Sequence, residues 1–222
     1  MTPRIVELRQ GILKKNDQLA AGLRGRFRAA GVYVVNLVSS PGSGKTLLLE
    51  KTLAALKDAG IRTAALVGDL ETENDAQRLA RSGVPVRQIQ THGICHLEAD
   101  MVERHLKGWD LSHLDILFIE NIGNLVCTSS YDLGESCRVA LLSVTEGEDK
   151  PRKYPSLYHS ADVALITKID LAEVCEFDRE AAHASLLDVR PGLRLIETSA
   201  KTGQGMEEWL GFITRKAVEP EL

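Results

Sequence analysis

The chain has few aromatic residues and no strongly basic segment. Aromatic side chains make up 5% of its 222 residues, and the formal net charge is −4. Nucleic-acid-binding domains are usually basic, and proteins that hold single strands stack the bases on aromatic rings. We therefore expect no nucleic acid among the partners of this protein.

Long apolar runs are also missing. No run approaches the ~20 residues that cross a bilayer, and the first twenty, MTPRIVELRQGILKKNDQLA, lack the apolar core of a signal peptide. We expect no membrane insertion and a cytoplasmic location. In that reducing compartment the four cysteines are expected to be free thiols, metal ligands or small buried hydrophobes, and not disulfides.

Short apolar runs alternate with amphipathic segments along the chain. The predicted strands are 32–38, 61–67, 86–90, 115–120, 138–144, 162–168 and 193–199, and the predicted helices are 4–29, 46–60, 73–83, 96–107 and 204–216. Several of these strands are apolar on both faces, which is typical of a mostly parallel sheet with helices on both sides. We predict a three-layer α/β sandwich, with residues 1–31 as a helical extension packed on a domain of residues 32–222.

A glycine-rich turn joins the first predicted strand to the next helix. It reads SSPGSGKT, residues 39–46, and fits the Walker A pattern except that Ser39 replaces the first glycine. In a P-loop NTPase the backbone N–H groups of this turn hold phosphate oxygens, the lysine reaches the β- and γ-phosphates and the hydroxyl binds Mg²⁺. The expected phosphate-binding residues are Gly42, Ser43, Gly44, Lys45 and Thr46.

Two later strand ends indicate guanine as the base. TKID, residues 167–170, and SAK, residues 199–201, resemble the Asn-Lys-x-Asp and Ser-Ala-Lys elements of GTPases, with Thr167 in place of Asn. A carboxylate accepts two hydrogen bonds from guanine, whereas adenine would leave it unpaired. The expected base-binding residues are Thr167, Lys168, Asp170, Ser199, Ala200 and Lys201.

Acidic residues follow two other strands. In FIENIG, Glu120 is expected to hold Mg²⁺ with Thr46, and the Gly123 N–H is expected to sense the γ-phosphate. Asp69 and Asp75 flank the expected first switch, where either could approach Mg²⁺ or the attacking water. The alternative for Asp75, a solvated acid at a helix start, stays open.

The segments SSPGSGKT, CHLEADMV, IENIGNLVC, YDLGE, TEGEDKPRKYP, TKIDL and SAKTGQG occur in this order. Together they resemble the hydrogenase nickel-incorporation GTPases, the HypB family, over residues 32–210. The resemblance implies a dimerising, GTP-hydrolysing G domain, which delivers nickel during [NiFe]-hydrogenase assembly. It implies other maturation proteins and the hydrogenase large subunit precursor as partners. The sequence shows no obvious glutamine for water activation and no clear arginine finger, so we expect slow intrinsic hydrolysis.

Leu171 and Lys153 both lie next to the nucleotide segments, so Leu171 is expected at the dimer interface and Lys153 on the partner's nucleotide. The alternative that Leu171 belongs to an ordinary core stays open.

The resemblance also implies that Cys95, His96 and Cys127 bind nickel or zinc. The periodicity predicts Cys95 at the start of a helix and His96 in its first turn, with Asp100 one turn later as a possible fourth ligand. Three soft or borderline ligands leave the site open. The alternative reading, two small buried cysteines and a core histidine, stays open on the pattern alone. No cysteine precedes Cys95 and no histidine precedes His92 in this sequence, so we expect metal binding in the G domain.

Two rival functions follow from parts of the same pattern. Urease-type nickel GTPases also carry a cysteine and a histidine before a comparable helix, but separated by a proline. A P-loop kinase for small molecules would share SSPGSGKT, but TKID and SAK argue against ATP.

Overall fold

The computed structural model describes residues 4–69 and 74–218. The strands are β1 Tyr33–Ser39, β2 Thr63–Asp69, β3 Val86–Gln90, β4 Ile116–Gly123, β5 Cys137–Ser143, β6 Val163–Thr167 and β7 Arg194–Thr198. The helices are α1 Arg4–Ala30, α2 Lys45–Asp58, α3 Asn74–Ala80, α4 Ala99–His105, α5 Lys150–Lys153, α6 Pro155–His159, α7 Arg179–Val189 and α8 Met206–Val218. Within the described ranges, no helix is both long and apolar enough to span a membrane.

The strands form one seven-stranded sheet in the order β3-β2-β4-β1-β5-β6-β7, and each pairing is parallel. Alternate strand residues face opposite layers. Val35 and Leu37 pack under α2 and α8, whereas Val34 faces α1 and α4. Leu157 of α6 and Leu186 of α7 complete the second layer over β5 and β6. Burial on both faces explains why these strands are apolar throughout.

Helix α1 packs on the sheet and is not a detached arm. Ala20, Leu23 and Phe27 are at most 2% exposed and lie in the same cluster as strand residues of β1, β2 and β4. Arg24 reaches across to Asp132, with Nη2 2.6 Å from Oδ1. Asn16 is 5% exposed and bonds both the Asp132 carbonyl, at 2.8 Å, and the Ala99 N–H, at 2.9 Å.

The helix boundaries differ from the sequence prediction in two places. Helix α4 begins at Ala99 and not at His96, so Cys95 and His96 lie in the preceding loop, and the prediction that His96 occupies a first helical turn is wrong. The pattern also misses α7, which begins after Asp178, whose carboxylate caps the Ala181 N–H. The sequence pattern assigns no strand or helix to residues 145–160, but the structure has α5 and α6 there.

Parallel pairing puts the carboxyl ends of all strands at one edge of the sheet. The neighbours of β1 are β4 and β5, so the chain order reverses at β1, and the loop after β1 opens at the crevice where such sheets bind ligands. The predicted functional segments after β1, β4, β6 and β7 therefore meet at this edge, where Asp69 ends β2.

Candidate nucleotide site and adjoining metal cluster

The loop after β1 has the backbone of a phosphate-binding turn. Gly42 and Gly44 have φ values of 73° and 96°, a region that favours glycine. Gly44 is followed directly by α2, so the loop N–H groups and the helix N-terminus point to the same place. Ser39 is the last residue of β1, where the extended backbone has no need of glycine.

The side chain of Ser39 has a contact of its own. Lys45 Nζ lies 2.8 Å from Ser39 Oγ and 3.3 Å from the Ser40 carbonyl oxygen. Burial lowers the pKa of Lys45, although the nearby Glu120 and Glu146 oppose this shift. The ammonium group is thus held inside the loop by two neutral oxygens.

Glu120 meets the phosphate loop from β4. Thr46 Oγ1 donates to Glu120 Oε1 at 2.7 Å. The other oxygen, Oε2, is buried and accepts no hydrogen bond from the described protein groups. Burial raises the pKa of Glu120 to about 7, while Lys45 and the Thr46 hydroxyl oppose the rise. A buried carboxylate oxygen without a donor, beside a threonine hydroxyl, fits the hard oxygen set that Mg²⁺ prefers.

Asp69 and Asp75 belong to the same acidic region. Both raise the pKa of Glu120 through their negative charge, which shows that the structure brings them near it. Asp69 ends β2 and Asp75 lies in the first turn of α3. Residues 70–73 of the expected switch lie outside the described residues.

Gly123 ends β4 directly against the phosphate loop. A Cβ added there would lie 2.7 Å from Pro41 Cα, which is closer than side chains approach backbone. Ser39 and Gly123 are also paired in the sheet, after an irregularity that follows Leu37. Glycine is therefore required here by close backbone approach, and a displacement of the phosphate loop must act on the end of β4.

The predicted base-binding residues also come together. Thr167 Oγ1 donates to the Ser43 carbonyl at 2.7 Å, and Lys168 Nζ donates to the Gly42 carbonyl at 2.6 Å. Ser199 Oγ donates to Asp170 Oδ1 at 2.6 Å. A cavity of about 150 Å³ lies between these groups. Its lining includes Ser43, Gly44, Thr167, Lys168, Asp170, Leu171, Ser199, Ala200 and Lys201.

Three soft or borderline ligand atoms form a second cluster, in the loops that follow β3 and β4. The ligand atoms of Cys95, His96 and Cys127 all lie within 4.8 Å of one another. The two sulfurs are 2.9 Å apart, and neither cysteine forms a disulfide. Thiolates on one tetrahedral zinc would be about 3.8 Å apart, given Zn–S bonds of about 2.3 Å. The loops that carry the thiols would have to separate by a fraction of an ångström to bind zinc tetrahedrally.

Two asparagines that the sequence reasoning missed shape these loops. Asn124 Oδ1 accepts the N–H groups of Val126 and Cys127, both at 2.8 Å, and so forms the turn that presents Cys127. Asn121 Oδ1 accepts the Leu97 N–H at 3.2 Å, which ties β4 to the segment that carries Cys95 and His96. An asparagine three residues before Cys127 is a recognisable turn signal.

His96 is held from two sides. Its ring stacks on Tyr131, with centroids 3.8 Å apart and planes inclined by 24°. Glu98 Oε1 lies 3.4 Å from His96 Nε2. Burial lowers the pKa of His96, and Glu98 opposes that shift. The burial effect favours the neutral imidazole, which is the form that binds metals.

Two predicted site residues lie apart from these groups. Asp100 is outside the cluster of ligand atoms, and its Oδ2 lies 2.5 Å from Arg104 Nη2. The expectation that Asp100 shares a face with His96 fails because α4 begins after His96. Lys153 does not line the base cavity, and its Nζ lies 2.6 Å from Asp149 Oδ2.

Comparison with known proteins agrees with this arrangement. Residues 33–197 match the family model described as the nucleotide-binding domain of CobW/HypB/UreG. Hydrogenase maturation factor HypB of Azotobacter chroococcum mcd 1 is 50% identical over 96% of this chain and 70% of that protein. The same factor from Escherichia coli strain K12 is 47% identical over 95% of this chain and 72% of that protein. The chain belongs to the HypB family.

A solved HypB structure has the same fold. The crystal structure of HypB from Helicobacter pylori in complex with nickel is 42% identical, with a TM-score of 0.86 over 92% of this chain and 95% of that chain. The predicted HypB resemblance and the predicted P-loop α/β fold are thereby confirmed. The match to the family model includes the phosphate loop, Glu120 and all three residues of the cysteine–histidine cluster.

The burial of Glu120 predicts a pH-dependent stability. The pKa of native Glu120 is about 7, whereas an unfolded glutamate has a value near 4.5. The native state therefore binds more protons between these values, and stability falls as pH rises through this window. We expect Glu120→Gln to remove this fall and to stabilise the protein at pH 8 by about 3 kcal/mol.

Urea unfolding at pH 5 and pH 8, without Mg²⁺ or nucleotide, measures this effect. Glu173→Gln, which changes an exposed glutamate, is the control. Equal pH dependence in wild type and Glu120→Gln would contradict the prediction.

Proposed function

We propose that the chain is a GTP-hydrolysing nickel chaperone that acts in hydrogenase maturation. The observation that carries the proposal is one short continuous segment. Glu120 and Gly123 lie at the end of β4 beside the phosphate loop, and Cys127 follows four residues after Gly123. Nucleotide chemistry and metal binding therefore share a short piece of chain. The nickel complex of the Helicobacter pylori relative supports nickel as the cargo.

The phosphate chemistry follows from groups that are already in position. Phosphate oxygens would replace Ser39 Oγ and the Ser40 carbonyl as acceptors for Lys45, whose Nζ is 2.8 and 3.3 Å from them. Mg²⁺ would be held by Thr46, Glu120 and Asp69. When bound, it would neutralise part of the negative charge on the phosphates. Asp75 is proposed to approach the attacking water, and the Gly123 N–H is proposed to sense the γ-phosphate. No arginine finger is evident in the sequence, so we expect slow intrinsic turnover.

Base selectivity rests on Asp170. Its Oδ1 accepts from Ser199 at 2.6 Å, which orients the carboxylate toward the cavity that Ala200 and Lys201 complete. Guanine offers two N–H donors to such a carboxylate, and adenine offers none in the same place.

Asp170→Asn should therefore weaken GTP binding by at least about tenfold and improve binding of xanthosine triphosphate. A hydrogen bond to a charged group contributes about 1.5–3 kcal/mol, which corresponds to that factor. Competition titrations with labelled nucleotides measure both changes, with Asp188→Asn as a surface control. Unchanged GTP affinity would exclude Asp170 as the base reader, and ATP preference in wild type would favour a kinase.

The metal site suits delivery and not storage. Cys95, His96 and Cys127 supply three ligands, each only partly buried, so a fourth position is open to water or another protein. Thiolate and imidazole bind both Ni²⁺ and Zn²⁺. We propose nickel as the cargo and zinc as a competing ion at the same ligands.

The nucleotide state is proposed to set metal affinity. Loss of the γ-phosphate would relax the phosphate loop, and the close packing of Gly123 against Pro41, which leaves no room for a Cβ, would pass this movement to the turn at Asn124 and Cys127. A shift of ~1 Å exceeds the ±0.2 Å tolerance of metal–ligand distances. The GTP state is proposed to hold metal and hydrolysis to release it.

We expect Ni²⁺ affinity to differ by roughly 5- to 150-fold between the GDP state and the state with a non-hydrolysable GTP analogue. Cys127→Ala should lose both the affinity and the difference while it retains GTP binding. Cys175→Ala, which removes an exposed thiol outside the cluster, is the matched control. Equal Ni²⁺ affinity in both nucleotide states would overturn the coupling.

A GTP-dependent homodimer completes the proposal. Leu171 lines the base cavity and is only partly buried, which leaves apolar surface for a second subunit. Lys153 is exposed and lies outside the cavity lining. A contact between Lys153 and a nucleotide is therefore proposed across the dimer interface.

Sedimentation velocity with Mg²⁺ and a GTP analogue should show a dimer, whereas the GDP form should contain more monomer. Lys153→Ala should weaken the dimer, and Lys150→Ala, three residues away in the same short helix, is the control. A wild-type chain that stays monomeric with analogue and metal would exclude the proposed dimer.

The proposed partners are other hydrogenase-maturation proteins and the precursor of the hydrogenase large subunit. The names of the two relatives described above support this setting. A cytoplasmic location is proposed because both thiols of the cluster must stay reduced to bind metal.

A further inference from the structure

The two nitrogens of His96 face different groups. Nδ1 lies 3.9 Å from Cys95 Sγ, and Nε2 lies 3.4 Å from Glu98 Oε1. A neutral imidazole carries one proton, so one nitrogen donates a hydrogen bond while the other offers a lone pair. A carboxylate accepts and cannot donate, which assigns the proton to Nε2 and leaves the lone pair of Nδ1 on the side of the Cys95 thiol.

Glu98 is free for this contact because another residue caps the helix. Glu98 occupies the position just before α4 but makes no side-chain capping bond. The Ala99 N–H is taken instead by Asn16 Oδ1 of α1, at 2.9 Å. The Glu98 carboxylate turns back toward His96, whose side chain is only 12% exposed.

Tyr131 fixes the plane of the same ring. Its ring lies 3.8 Å from the imidazole centroid, on a face of the histidine. The tyrosine follows the short helical turn Thr128–Ser130 that comes directly after Cys127. The loop that supplies one thiol therefore also supplies the stacking partner of the imidazole.

We propose that His96 binds the metal through Nδ1, and that Glu98 and Tyr131 are the residues that position its ring. This inference rests on the proposed metal function of the cluster. A carboxylate on the outer nitrogen of a ligating histidine fixes its tautomer and makes it a better ligand, and removal of such a partner costs 10- to 100-fold in metal affinity.

The direct test is nuclear magnetic resonance of ¹⁵N-histidine-labelled full-length protein loaded with Zn²⁺, a diamagnetic metal. The expected spectrum has His96 metal-bound at Nδ1 and protonated at Nε2. A spectrum with metal at Nε2 and the proton at Nδ1 would overturn the proposal.

Ni²⁺ affinity, measured by competition with a chromophoric chelator, tests the positioning residues. Glu98→Ala should bind 10- to 100-fold more weakly, whereas Glu98→Gln, which keeps a neutral acceptor, should retain most of the affinity. Tyr131→Leu should weaken binding and Tyr131→Phe should not. Glu103→Ala, which changes a carboxylate farther along α4, is the control, and circular dichroism checks the fold of each variant. Wild-type affinity in Glu98→Ala would overturn the role of Glu98.

The outcomes separate this inference from the function on which it rests. If wild type binds Ni²⁺ as weakly as Cys127→Ala, both the metal function and this inference fail. If wild type binds tightly and Cys127→Ala does not, but Nε2 carries the metal, only this inference fails.

Discussion

The pairing of β1 with β4 is the constraint on which both sites depend. It places Leu37 beside Glu120 and Ser39 beside Gly123 in the register. The phosphate loop and the acidic strand end therefore leave the sheet side by side, and the hydrogen bond from Thr46 to Glu120 follows from that neighbourhood. A register shift of one residue would turn Glu120 to the opposite face of the sheet. The thiol of Cys127, a few residues later, would lose its position as well.

The second constraint comes from α1, through the buried side chain of Asn16. Its amide contacts the start of α4 on one side and the carbonyl of Asp132 on the other. These segments follow the two loops that carry the cluster ligands. Arg24 binds Asp132 from the same helix. The N-terminal helix therefore supports the cysteine–histidine cluster, although none of the helix side chains that the structure describes belongs to it.

Much of the architecture was predictable because it follows from local signals. Apolar strands buried on both faces predict a parallel sheet. The phosphate loop is recognisable in the sequence because its glycines occupy positions with positive φ. The start of α4 was mispredicted because the polar run after Cys95 fits a helical period, whereas its first N–H group is capped by Asn16, a residue distant in sequence. Helix α7 was missed although Asp178 is a standard capping residue at its start.

The residues of the candidate sites also fall into two groups, those that the sequence predicts and those that only the structure reveals. Lys45, Glu120 and Asp170 belong to short motifs, so their residue types and order revealed them. Tyr131 could not be assigned from the pattern, because its contact with His96 depends on the approach of loops that are apart in sequence. Glu98 is only two residues from His96, and its contact was missed because the predicted helix began at His96 and not at Ala99. A residue that contacts a candidate metal-binding side chain only in space has no fixed sequence distance from it, so no motif reveals such a residue.

The partial exposure of all three cluster residues also governs how fast a metal could leave. A fully enclosed ion departs only when its own bonds break or the surrounding chain opens. At a three-donor site with an accessible side, an incoming ligand can bind before an outgoing one dissociates. Exchange then passes through a shared intermediate, and its rate depends on the concentration of the recipient. Release would thus be selective for a protein that offers its own donor atoms, with little loss of the ion to bulk water.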